Sequence, residues 1–147
     1  MRRGRDERGT ALIELTWLSI LLLVPLIYLL LAVFEVQRAA YGVSAATRAA
    51  ARAYSLAQSQ AAAGARAREA AAVALADQGL DLSGRSLQVR CVPAPRDCLA
   101  PGSVIDVRMV VSVRLPLVPD ALGAQTPSIR VQADHRVPYG PYREQRP

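Results

Sequence analysis

A glutamate, Glu14, stands inside the longest apolar run of the chain, and it is the only charge among the 24 residues from Ala11 to Phe34. A carboxylate at the centre of a bilayer span costs roughly 2.5–3.5 kcal/mol, and less near an end. Glu14 is near the N-terminal end. It either snorkels to the headgroups or has a partner that repays its burial. Few other residues have a spacing that carries chemistry. Gly9 and Thr10 directly precede the run. Glu35 and Arg38 follow it at i,i+3, the spacing of a helical ion pair. Arg48 and Arg52, at i,i+4, share one helix face. Cys91 and Cys98 enclose a short loop, and His135 is the single histidine.

These residues do not compose a catalytic centre. His135 lies in an alternating stretch without an evident serine or cysteine partner, the acidic residues are scattered, and there is no phosphate-binding glycine loop. A metal site would need both cysteines plus the distant histidine. The chain therefore reads as non-enzymatic, with no cofactor, no metal and no small-molecule substrate. The net charge is +6. A nucleic-acid surface would gather arginines on one face with aromatics among them. Here they are spread along the chain, and the only tight cluster is Arg2, Arg3, Arg5 and Arg8. Nucleic acid is not an expected partner.

The elements that must position these groups begin with the apolar run. Its length exceeds the roughly 20 residues that span a bilayer as a helix. The arginines ahead of it keep the N-terminus cytoplasmic by the positive-inside rule. The expected division is a basic leader over 1–9, a transmembrane helix over 10–35, and an extracytoplasmic domain over 36–147. A secretory signal peptide is the competing reading, with a small-residue cut near Val43-Ser-Ala45, but its apolar core would be only about 7–15 residues. Pro25 sits in mid-span, where it removes one helix hydrogen bond. Trp17 and Tyr28 suit the two interfaces.

Beyond the span, Val36, Ala40, Val43, Ala50, Tyr54 and Ala57 fall near the helical period and predict a thin stripe of small apolar side chains. Small residues permit close helix–helix approach. Arg48 and Arg52 either pack against partner helices or face water. The pattern weakens over 55–64. A second alanine-rich helix is expected from about Ser59 to Gln78, stopped by Gly79. Three strands follow, over 87–90, 104–114 and 128–135, in one antiparallel sheet packed on the helix. The fold class is α+β, with a proline-rich tail expected to be flexible from Pro138 onward. Outside the membrane, Cys91 and Cys98 favour a disulfide.

The stretch Gly9-Thr-Ala-Leu-Ile-Glu14, placed between an arginine leader and a long apolar helix, resembles the cleavage signature of the type IV pilin superfamily. Glu35 and Arg38, then Arg48-Ala-Ala-Ala-Arg52, narrow the resemblance to the TadE-like branch, the pseudopilins of tight-adherence (Tad/Flp) pilus systems. The usual Glu-Gly of the second motif is replaced by Ala49-Ala50, and motif support covers roughly residues 8 to 55. The resemblance implies residence in the bacterial cytoplasmic membrane, with partners in membrane lipid, a prepilin peptidase, other pilin-like subunits and Tad assembly proteins. It implies cleavage after Gly9, so that Thr10 becomes the new N-terminus and Glu14 the fifth mature residue. Glycine lets the chain adopt a non-helical conformation in a protease cleft. A carboxylate one turn from the new ammonium offsets that charge in a low-dielectric place. An uncleaved single-pass anchor carrying a domain that binds an envelope polymer or protein is the alternative of a different class.

Overall fold

The computed structural model describes residues 8–82, 86–114 and 128–142. Helix α1 runs unbroken from Arg8 to Ser55, 48 residues, which is about 72 Å at 1.5 Å per residue. Apart from Glu14 its first half is apolar on every side, and no other described element covers it. The side chains from Leu12 to Phe34 are largely exposed, Leu22 at 70% and Phe34 at 64%. Thr16 donates its hydroxyl to the Leu12 carbonyl at 2.8 Å, so its polar group is satisfied within the helix. Pro25 lies inside this stretch.

The second half of α1 is different. Ala39, Val43, Ala46, Ala50 and Ala51 are fully buried and Tyr54 nearly so, as is Ala57 just past the helix end. Against them packs α2, Gln60–Ala76, which turns Ala63, Ala67, Ala71 and Leu75 inward at a strict four-residue spacing. Each of these four is 0% exposed. The two helices are antiparallel: Gln78 and Leu80 lie against Gly42, and Gln60 Nε2 donates to Tyr54 Oη at 3.0 Å. A Cβ at Gly42 would stand 3.0 Å from Gln78 Cγ. The bare glycine is what lets the two backbones close at that end. Burial raises the Tyr54 phenol above its ordinary pKa, and the bond from Gln60 offsets this in part.

Local chemistry sets the limits of α2. Ser59 is the N-cap, its Oγ accepting from the Ala62 N–H, which satisfies one of the unpaired first-turn donors. At the other end the Leu80 N–H donates to the Leu75 carbonyl and the Gly79 N–H to the Ala76 carbonyl, at 3.0 and 2.9 Å. Gly79 has φ +65. This is a Schellman cap, with buried Leu75 and Leu80 as its apolar contact.

Three strands form an antiparallel sheet in the order β1 (Leu87–Val92), β2 (Val104–Arg114), β3 (Ser128–Pro138). Leu87 pairs with Met109 and Val92 with Val104, while Val104 pairs with Pro138 and Arg114 with Ser128. The alternation of β2 sends Ile105, Val107, Met109, Val111 and Val113 into the core. The packed half of α1 lies against β2 and β3 as well as α2. The second half of α1 thus packs both on α2 and on one face of a small sheet, and α2 makes no comparable contact with the sheet.

Three sequence expectations change in detail. The buried stripe of α1 passes through Ala39, with Ala40 exposed and Val36 only partly covered. The strands β1 and β3 extend to Val92 and Pro138. The tail is anchored past Pro138: Tyr139 is 2% exposed, donates its N–H to the Ser103 carbonyl at 2.7 Å and accepts from the Gly102 N–H. A large aromatic with two backbone bonds holds the chain where proline content alone predicts freedom. Residues 143–147 of the expected tail lie outside the described residues.

Candidate functional site

The helix α1 begins at Arg8, so the Gly9–Thr10 peptide lies in its first turn. First-turn N–H groups have no partner within the helix. Opening that turn therefore breaks few bonds. Glu14 is exposed, and no described residue makes an ion pair or hydrogen bond with it. It stands on the bare apolar half of α1, about 31 Å along the axis from Glu35.

Glu35 and Arg38 do meet, with Arg38 Nη2 2.5 Å from Glu35 Oε1. This pair marks the junction of the two halves of α1. Arg38 Nη1 also lies 3.6 Å from where a Cβ on Gly79 would stand. The guanidinium thus sits over the C-terminal turn of α2, where the helix dipole favours a cation.

Arg48 and Arg52 are brought together with a residue far away in sequence. They line a groove of about 1170 Å³ between α1 and β3, floored by Ala45, Ala49, Ala53, Leu56 and Val137, with His135 on its strand side. Arg48 donates to Ser44 Oγ at 3.2 Å. Among the described residues neither arginine has a carboxylate within ion-pair distance. Sequence reading places the two arginines on one face but misses Leu56, His135 and Val137 as their neighbours. Nothing local signals a groove whose walls are 80 residues apart.

Cys91 and Cys98 are bonded to each other, with Cα atoms 5.2 Å apart. Closing so short a loop stabilises the fold by about 2–2.5 kcal/mol on the chain-entropy account. The bond also removes both thiols as metal ligands. Among the described residues no three His, Cys, Asp or Glu side chains converge. Ser103 Oγ donates to the Cys98 carbonyl at 2.6 Å, tying the loop to the buried Tyr139 turn.

The outward face of the sheet is the most charged surface. Register places Arg90, Asp106 and Arg136 in one row, and Arg108 beside Asp134 in the next. Arg136 Nε contacts Asp106 Oδ2 at 3.0 Å. Arg114 and Arg130 extend the same exposed face. What the chain offers chemically is therefore contact surface: a bare apolar helix with one carboxylate, a cationic groove and a cationic sheet face. Comparison with protein-family models, curated proteins and solved structures finds no match to this chain.

Proposed function

We propose that the chain is a TadE-like pseudopilin, a membrane-anchored structural or assembly subunit of a tight-adherence pilus or a related secretion machinery, trimmed by a prepilin peptidase after Gly9. One observation carries the reading. Among the described residues Glu14 has no partner, it stands on a helix half that none of them covers, and that helix continues unbroken into a packed domain. On a chain starting at Thr10, Glu14 lies one turn from a new ammonium, which supplies the partner it lacks.

The uncovered half is long and apolar enough to cross a membrane, and lipid would cover the side chains that the protein leaves bare. A secretory cut near Ala45 is physically costly. It would strip Ala39, Gly42 and Val43 from the interface with α2, where all three are buried. The leader arginines favour a cytoplasmic N-terminus. The Cys91–Cys98 bond suits a domain on the oxidising side.

A second reading has its own observation. Five arginines against two aspartates on the outward sheet face suit an anionic envelope polymer, held by an anchor that is never cleaved. Both readings meet in one experiment. The chain is produced together with a prepilin peptidase, extracted from membranes, and its intact mass and N-terminal sequence are determined. The pseudopilin reading expects a start at Thr10, and loss of that product in Gly9→Leu. A persistent Met1 or Arg2 start in cells that trim other prepilins overturns it and leaves the uncleaved anchor.

A further inference from the structure

We propose that the α1–β3 groove receives the α1-adjoining flank of α2 from a second copy of this chain. The proposal rests on α1 being a membrane anchor, and not on cleavage at Gly9.

The two surfaces carry opposite charges at their centre, Arg48 on one and Glu69 on the other. The groove presents Arg48 and Arg52 above a floor of alanines, and among the described residues no carboxylate pairs with either arginine. Across the α1 ridge of Ala49, Ala53 and Leu56, the adjoining flank of α2 presents Arg66, Glu69, Ala70, Val73 and Asp77. Glu69 and Asp77 are exposed and form no ion pair with any described residue. Arg66 is the one cation on that strip. Val73 is 65% exposed and Leu56 51%. They are the large aliphatics that the helical hairpin leaves without cover beyond Phe34. A groove of this size takes a helix face and not merely one side chain.

Height decides which groups meet. Ala49, Ala53 and Leu56 border both surfaces, and Ala49 has Arg48 on one side of it and Glu69 on the other. Acid and base therefore stand at the same level along α1. Two copies anchored in one membrane are parallel and at equal depth. A neighbour approaching sideways brings its Glu69 to the level of Arg48. Its Val73, one turn nearer the membrane on the antiparallel α2, comes to the level of Ala45 and Ala49. Arg52 lies one turn farther out, at the level of the neighbour's Arg66, so Arg48 is the centre of the contact.

The test uses the full chain in lipid vesicles, with donor and acceptor dyes on C-terminal tags, and reads association by energy transfer as protein is diluted in lipid. Arg48→Glu is one variant, and Glu69→Arg is the other. Each alone is expected to weaken association by about tenfold, from lost attraction and added repulsion. An equimolar mixture of the two restores complementary pairs and is expected to return to within about threefold of wild type. Circular dichroism checks that each variant is folded. If either fails, Arg48→Gln and Glu69→Gln replace them, with a smaller loss expected from each. Wild-type association without loss in the variants, or a mixture no tighter than its components, overturns the proposal. So does a wild type that stays monomeric. Flotation with the vesicles separates the layers: a chain that does not float sinks the anchor reading and this proposal together, while one that floats but shows no rescue sinks the docking alone.

Discussion

The two halves of α1 are one continuous helix under two different rules. From Leu12 to Phe34 the side chains are large and largely exposed. From Ala39 to Ser55 the buried side chains are mostly small. Hydrophobicity alone does not explain the difference, since the stripe that the second half buries is apolar too. Side-chain volume does. Leucine and isoleucine project too far for a second backbone to come close, and they offer a wide surface to lipid. Alanine buries little area itself but lets another helix approach until backbone meets backbone. The small half is thus built to pack within the chain, and the large half to be covered by something else.

The sharpest way to break this comparison is one chemical change made in both places. Leu75→Ala removes a fully buried side chain from the helical hairpin. It is expected to lower the unfolding free energy of the domain by about 3 kcal/mol. Leu22→Ala makes the same truncation on the bare half, at 70% exposure. It is expected to change domain stability by less than about 0.5 kcal/mol. Denaturant unfolding in detergent micelles, followed by far-UV dichroism, reads both. Equal losses would mean that the bare half packs on the domain after all.

The next test exchanges volume in the other direction. Ala67→Leu forces a larger side chain between α1 and α2, where Ala67 is 0% exposed. The expected cost is about 2 kcal/mol, from displaced backbone and strained rotamers. Ala65→Leu, two residues away on the exposed side of α2, is expected to be neutral within about 0.5 kcal/mol. Thermal unfolding of the two variants side by side decides it. A tolerated leucine at 67 would show that the hairpin is loosely packed.

The same alanine chemistry explains what was legible beforehand. The apolar run, the glycine stop at Gly79 and the three strands each have a local signature. A long aliphatic run, a left-handed glycine or strict alternation is read from neighbours alone, and each element is found where it is expected. The buried face of α1 is harder to read. When Ala39, Ala40, Ala45, Ala46, Ala49, Ala50 and Ala51 are all apolar, periodicity cannot tell which of them turns inward. The packing of α2 and the sheet selects Ala39 over Ala40. The Arg48–Arg52 groove is harder still, because His135 and Val137 arrive from the last strand. Tyr139 looks like part of a loose tail until Ser103, 36 residues earlier, is seen to hold its backbone. Spacing alone does find Glu35 and Arg38, because an i,i+3 pair needs only the helix that carries it.

That pair tests the boundary between the halves with the smallest effect. Arg38 is shared between the Glu35 carboxylate and the C-terminal turn of α2. Both side chains are partly exposed, at 47% for Arg38 and 28% for Glu35. Solvent screens such a pair, so Glu35→Gln is expected to cost only about 0.5 kcal/mol. Arg38→Gln should cost more, because it also removes the cation from the helix end. The difference between the two variants isolates the contact with α2. Added salt should shrink both losses. If Glu35→Gln and Arg38→Gln cost the same, the guanidinium does nothing for α2, and the junction is held by the ion pair alone.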